Sequence, residues 1–91
     1  MNLAVEPAGA GSVEVTMRLF AAARQAAGTS VQRFRAGTLS EALDAARARF
    51  GQEFSAVLDG SRVWVNGEPA TLSDHLHEGD EVAVLPPVSG G

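Results

Sequence analysis

The residues that could do chemistry in this chain stand together at its carboxyl end, Leu85-Pro86-Pro87-Val88-Ser89-Gly90-Gly91. The sequence has no cysteine, which excludes a thiol nucleophile, a disulfide and a thiolate zinc site. What remains is the main-chain carboxylate of Gly91, carried on a segment suited to reach. Pro86 and Pro87 lack an N–H and fix their own φ, so they end a strand ladder and stiffen the exit in an extended form. Gly90 and Gly91 have no Cβ and can pass a channel that other side chains would block. Extended, the residues beyond Pro86 span at most ~16–18 Å. That lets the carboxylate enter another protein's pocket while the folded body stays outside. Glycine-rich ends are common in any chain. Here strand, paired prolines, linker and glycine pair each have a separate reason to be present.

The elements that must position this tail can be read upstream. Glu81-Val82-Ala83-Val84-Leu85 has a buried-strand pattern and runs straight into the prolines. Val13 to Phe20 alternates, with Val13, Val15, Met17 and Leu19 on one face and Glu14, Thr16 and Arg18 on the other. Phe20 opens a short alanine-rich helix that Gly28 terminates. Ser30 to Arg35 is a further strand, although Val31 and Phe34 do not share a period of two. Thr38-Leu39-Ser40-Glu41 is a capping box, and Leu39, Leu43, Ala46 and Phe50 follow at helical spacing to Gly51. This spacing predicts the one substantial helix, with Asp44 and Arg47 close enough to pair. Gln52 to Ser61 reads as a connection pinned by Phe54, Val57 and Leu58. Arg62 to Val65 is a short strand entering an Asn66-Gly67 hairpin turn. Thr71 to Leu76 is expected to make one turn with Leu72 and Leu76 inward.

The order predicts an α+β domain, with one main helix on one face of a small mixed sheet. If the first and last strands are neighbours they must be parallel, because a crossover containing the long helix separates them. Residues 1–12 read as a loose leader, 13–85 as the domain and 86–91 as an extended tail.

Composition narrows the function. A chain of 91 residues holds one modest core and no deep catalytic cleft of its own, so no catalysis by this chain alone is expected. The net charge of −4 with scattered arginines gives no basic stripe, which argues against nucleic acid and allows a basic protein partner. No stretch approaches a membrane span and nothing resembles a signal peptide, so a cytoplasmic location is expected. Lysine is absent; all seven basic residues are arginine. No side-chain amine in this sequence can accept an isopeptide bond.

The strand leading into Phe20-Ala21-Ala22-Ala23-Arg24, the helix begun at Thr38, Val65-Asn66-Gly67-Glu68 and the ending from Gly79 to Gly91 together resemble a MoaD/ThiS-type sulfur carrier. The resemblance covers Val13 to Gly91 and implies the ubiquitin-like β-grasp fold, in agreement with the element order. The Pro-Pro-Val-Ser-Gly-Gly ending is most similar to the MoaD-type carriers, the small subunits of molybdopterin synthase. The resemblance implies that a MoeB/ThiF-type adenylyltransferase, using ATP, joins the Gly91 carboxylate to AMP. A sulfur donor, rhodanese-like or a cysteine desulfurase, would then displace AMP and leave a thiocarboxylate. The tail would enter a MoaE-type large subunit and give its sulfur to cyclic pyranopterin monophosphate. Gly91 would supply the reacting atom, Gly90 the clearance, and Pro86, Pro87, Val88 and Ser89 the reach. No cofactor would be bound stably. A carrier for thiamin thiazole or cysteine synthesis, a ubiquitin-like protein modifier and an inert β-grasp binding module remain alternatives.

Other residues carry groups capable of chemistry. His75 and His77 lack a third ligand and read as solvated turn residues, with no metal expected. Asp80 and Glu81 read as a solvated edge. Arg24 either caps the short helix or serves the family pattern. Trp64 points away from the face of Val63 and Val65. It is either core or, with Leu85, part of a surface that docks a partner.

Overall fold

The computed structural model describes residues 11–87. The leader up to residue 10 and the tail residues Val88, Ser89, Gly90 and Gly91 lie outside the described residues. The elements are β1 Val13–Leu19, α1 Ala21–Ala27, β2 Val31–Ala36, α2 Leu39–Phe50, α3 Gln52–Asp59, β3 Arg62–Val65, β4 Glu68–Pro69 and β5 Glu81–Leu85. One mixed sheet has the order β2-β1-β5-β3-β4, with β1 and β5 parallel and the other neighbours antiparallel. This is the α+β mixed sheet expected from the element order, in the ubiquitin-like β-grasp arrangement that the resemblance implies.

The alternation of β1 decides what the sheet buries. Val15, Met17 and Leu19 are buried, and the parallel register sets Met17 beside Val82 and Leu19 beside Val84, both fully buried. The antiparallel register sets Val15 beside Phe34 on β2, so Val31 falls on the other face and is left 42% exposed. The helices cover the buried face: α2 contributes Leu39, Ala42, Leu43 and Ala46, α1 contributes Ala23, and α3 contributes Phe54 and Leu58. Phe50 bridges an edge-on contact with Phe34 at 6.0 Å and a tilted one with Phe54 at 5.0 Å. Such pairs add to simple area burial.

The cap of α2 forms with one displacement. Thr38 Oγ1 accepts from the Glu41 N–H at 3.2 Å, while Glu41 Oε1 accepts from the Gly37 N–H at 2.7 Å, one residue before the cap. The segment expected to be a connection, Gln52 to Ser61, is instead a second packed helix over Gln52–Asp59. Phe54, Val57 and Leu58 stand at i, i+3 and i+4, the spacing of one helical face. Gly51, at φ 96°, breaks α2 and redirects the chain into α3 without a Cβ penalty. The expected pairing of Asp44 with Arg47 is also replaced. Arg47 reaches across to α3, where its guanidinium meets Asp59 at 2.8 Å and donates to the Ser55 carbonyl.

The loop from Thr71 differs too. Leu76 is buried and a turn forms as expected, the Asp74 N–H donating to the Thr71 carbonyl at 3.0 Å, but Leu72 is 60% exposed. Asp74 takes over the local bonding, accepting from both the Thr71 N–H and its hydroxyl, and these bonds hold its carboxyl below the ordinary value. The Leu72 carbonyl accepts from the Ser40 N–H, tying the loop to the first turn of α2.

Asp80, expected to be a solvated edge residue, is a structural one. Its side chain is only 13% exposed. Asn66 Nδ2 donates to one oxygen at 2.9 Å and the His77 N–H to the other at 2.8 Å. Asn66 also accepts from the Glu81 N–H and donates its own N–H to the Glu81 carbonyl. Asn66 and Gly67, at φ 52° and 84°, form the hairpin turn that makes this possible. The knot fixes where β5 begins, and so the register in which the chain reaches Leu85.

Burial pushes the Asp80 carboxyl up, but the His77 and Asn66 bonds and the nearby His77 imidazole outweigh it, leaving the group below its ordinary 3.8. A carboxylate favoured by folding adds stability that is full above its unfolded value of ~3.9 and fades as pH falls through the folded value. Asp80→Asn should therefore lower the urea midpoint at neutral pH, and the gap from the native protein should close in acid. Equal gaps at both pH values would contradict this account. Phe54→Ala, at a fully buried site, should cost ~3–5 kcal/mol in the same titration.

Candidate functional site: the root of the tail

The strand that carries the tail is the centre of the sheet, paired on both sides. Val82 and Val84 anchor it in the core, while Ala83 and Leu85 face the uncovered side and are half-buried. Pro86 is half-buried and Pro87, the last described residue, is exposed. Neither proline could donate to a ladder, and the last described strand residue is Leu85.

Three neighbouring segments surround that exit. On one side, β3 sets Arg62 opposite Leu85 and Trp64 opposite Ala83, with Pro69 of β4 opposite Trp64. Trp64 is half-buried and is not part of the buried core. The outward reading of Trp64 is therefore the one its position matches. On the other side, β1 continues past Leu19 into Phe20, which is 44% exposed. The sequence pattern marks Phe20 only as the opening of a helix. Its outward direction follows from the β1 alternation continued by one residue beyond buried Leu19.

The turn at Phe20 is strained. Ala21 has φ 49°, in the left-handed region that side chains other than glycine seldom adopt. The Phe20 carbonyl starts α1 by accepting from the Ala23 and Arg24 N–H groups at 2.9 and 3.3 Å. The turn forces the chain off the sheet abruptly, and Phe20 is left standing beside the tail root. Arg24 does not cap α1 through its side chain; its carbonyl accepts from the Gly28 N–H at 2.9 Å. Its side chain instead borders an open cavity of about 320 Å³ shared with Arg18, Leu19, Phe20, Ala21 and Ser30.

His75 and His77 lie at the opposite end, in the loop that enters β5, and both are exposed. Among the described residues no group of three or more His, Cys, Asp or Glu could hold a metal ion. No helix among them is long and apolar enough to cross a membrane. The described residues thus bring together Phe20, Arg24, Arg62, Trp64, Leu85, Pro86 and Pro87. This is a surface around an exit, with no side-chain nucleophile of a kind suited to group transfer. Sequence reasoning found Trp64, Leu85 and the prolines. It missed Phe20 and Arg62, whose place depends on strand register.

Solved structures of other proteins share this fold. The crystal structure of SAMP1 from Haloferax volcanii is 34% identical, with a TM-score of 0.78, and the match covers 86% of this chain and 99% of that one. A putative molybdopterin converting factor subunit 1 from Pyrococcus furiosus is 26% identical, with a TM-score of 0.76, covering 85% of this chain and 100% of that one. A complex of subunits 1 and 2 of the molybdopterin-converting factor from Helicobacter pylori contains a chain 25% identical, with a TM-score of 0.66, covering 87% of this chain and 100% of that one. Among curated proteins none matches. The ThiS family profile matches residues 17–91. That span runs from inside β1 through the whole tail, and the chain therefore belongs to the ThiS family, the ubiquitin-like small sulfur carriers.

Proposed function

We propose that this chain is the sulfur-carrier small subunit of a molybdopterin synthase. The Gly91 carboxylate is a poor electrophile, because its leaving group would be oxide. A MoeB/ThiF-type adenylyltransferase joins it to AMP with ATP, releasing pyrophosphate. The persulfide of a sulfur donor, rhodanese-like or a cysteine desulfurase, displaces AMP to give an acyl disulfide. A thiol then cleaves that S–S bond, leaving the Gly91 thiocarboxylate and a disulfide on the donor side. That ionised sulfur enters a MoaE-type large subunit and is given to cyclic pyranopterin monophosphate; two transfers build the dithiolene. The chain itself performs no catalysis. Its contributions are Gly91 as the carrier atom's site, Gly90 as clearance, and Pro86, Pro87, Val88 and Ser89 as a pre-stiffened reach.

The observation that carries this reading is the root. A strand paired on both sides ends in Pro86-Pro87 beside half-buried Trp64 and Leu85 and exposed Phe20. A rigid exit restricts the tail before binding, so less conformational entropy is lost when it threads a channel. The apolar side chains around it suit a partner that seats the body while the tail inserts. The likeness to the Pyrococcus furiosus and Helicobacter pylori converting-factor subunits adds weight. A second reading, a protein modifier, draws on the 34% identity to SAMP1, whose name in a related structure is small archaeal modifier protein 1. In that case activated Gly91 would be attacked by an amine on another protein.

The thiocarboxylated chain, given side by side to a molybdopterin synthase large subunit, a thiazole synthase and a carrier-dependent cysteine synthase, should deliver sulfur efficiently to the first. Delivery only to one of the others would move the pathway. Covalent adducts on other proteins would support the modifier reading. Deleting Gly91 should abolish transfer while leaving the melting temperature unchanged, because the body's core lies upstream of Pro86. Trp64→Ala should weaken binding to the large subunit by ~2 kcal/mol or more. Its cost to stability should be well short of the ~3–5 kcal/mol of a core aromatic. A core-sized loss in urea would remove Trp64 from the docking surface.

A further inference from the structure

We infer that the protein surface that seats this tail root carries an acidic rim around an apolar centre, although the chain as a whole is acidic. This rests on the reading that the tail side of the body docks against a partner; it does not depend on which pathway that partner serves.

The charge is segregated by the fold. The uncovered sheet face carries four of the seven arginines, Arg18, Arg33, Arg35 and Arg62, and only two acids, Glu14 and Glu81. Both acids are already engaged: Glu81 pairs with Arg18, and Glu14 lies 3.6 Å from Arg33. Arg35 donates to the neutral Ser12 carbonyl. Arg62, opposite Leu85, and Arg24, beside Phe20, make no ion pair with a described residue. These two exposed guanidiniums flank the exit of the tail on its two sides.

The acids lie elsewhere. Glu41, Asp44, Glu53 and Asp59 are on α2 and α3, and Glu68, Asp74, Glu78 and Asp80 are around the hairpin and the loop that enters β5. The only arginines on α2 and α3 are Arg47, already bound to Asp59, and Arg49, while the third helix, α1, carries Arg24 at the tail end. The net charge of −4 therefore describes the helical side and the far end of the sheet, not the side from which the tail leaves.

Arg33 and Arg35 have a second explanation, since charged side chains on the edge strand β2 discourage sheet-to-sheet association. That explanation does not extend to Arg24, on a helix, or to Arg62, at the tail root. A positive end on an otherwise negative body has an orienting effect. Approaching an acidic rim, the chain is turned tail first, and encounters through its helical side are repelled. The apolar centre of Trp64, Leu85 and Phe20 then supplies the contact, with charge setting rate and direction.

The test reverses charge at the two ends separately. Arg24→Glu with Arg62→Glu makes the chain more acidic; Asp44→Arg with Glu53→Arg makes it neutral overall. All four sites are exposed, and circular dichroism would confirm that both variants fold. In stopped-flow association with a molybdopterin synthase large subunit at low salt, the first variant should be slowed about tenfold. High salt should remove the difference. The second should stay within about twofold of the native rate. Should the first variant associate at the native rate or faster, the inference is overturned. In parallel, amide shifts of the native chain would be followed with hexaglutamate and with hexalysine. Hexaglutamate should move Arg24, Arg62 and the uncovered face, and hexalysine α2, α3 and the 71–80 loop. Hexaglutamate shifts absent from the tail root would also overturn the inference. A large subunit that binds neither the native chain nor the variants would refute the pathway reading, and the peptide shifts would then decide the charge assignment alone.

Discussion

The parallel pairing of β1 with β5 is the contact on which the rest of this molecule depends. It joins the first strand to the last, so all intervening chain must fold back over one face before the pair can close. Met17 beside Val82 and Leu19 beside Val84 make that pairing a burial event as well as a ladder. Each inward side chain removes apolar area from water on one side of the sheet. A register slip of one residue would expose the whole row and turn Ala83 and Leu85 inward. The same pairing puts β5 at the centre of the sheet and has Leu19-Phe20 run out beside Leu85-Pro86. The tail is thus carried by a strand paired on both sides, and the surroundings of Leu85 come from Phe20, more than sixty residues away, and from Arg62 and Trp64, just over twenty away.

Two local devices protect that register. At the start of β5, Asn66 and Asp80 lock the hairpin turn to the strand entry through side-chain bonds at 2.9 Å. Asn66 is itself exposed, and the knot gains from the Asp80 side chain being only 13% exposed and from several bonds closing on one turn, whereas the Arg33–Glu14 pair is a single exposed contact whose net worth is small in water. At the end of β1, the left-handed Ala21 forces the chain off the sheet at once. Backbone strain of this kind costs of the order of 1–3 kcal/mol and persists where the surroundings over-determine it. Here buried Leu19 and Ala23 hold it from either side. The result is a body that is well packed at one face and open at the other, with a left-handed non-glycine residue at each end of the β1–β5 pair, Asn66 at the entry of β5 and Ala21 just past β1.

The contrast between the two faces gives the fold its economy of means. The covered face is almost entirely apolar, and no polar or charged residue among those described is buried there. The uncovered face mixes Trp64, Ala83, Leu85 and Val31 with arginines and their partners. A carrier needs both: a core that survives repeated handling by other proteins, and a surface that can be grasped and released.

Much of this was legible in the sequence, for identifiable reasons. Strict alternation fixed which residues of β1 and β5 face inward, because a side-chain period of two leaves no freedom. Thr38 and Glu41 marked the start of α2, Asn66-Gly67 the hairpin, and Pro86-Pro87 the end of the last strand, because each residue type limits its own backbone. The parallel relation of first and last strands followed from the crossover between them. What the sequence left open depended on contacts between distant segments. Phe54, Val57 and Leu58 suit a helix only if a core lies beneath them, and that core is made by β1, β5 and α1. Arg47 had a neighbour in Asp44 but found better geometry with Asp59, and Asp80 became sheltered because Asn66 was brought to it. The place of Phe20 and Arg62 beside Leu85, and the separation of a basic tail side from an acidic helical side, belong to strand register alone. Local residue types therefore determined the elements and the tail, while tertiary structure decided what surrounds the tail, because only folding sets residues 20, 62 and 85 side by side.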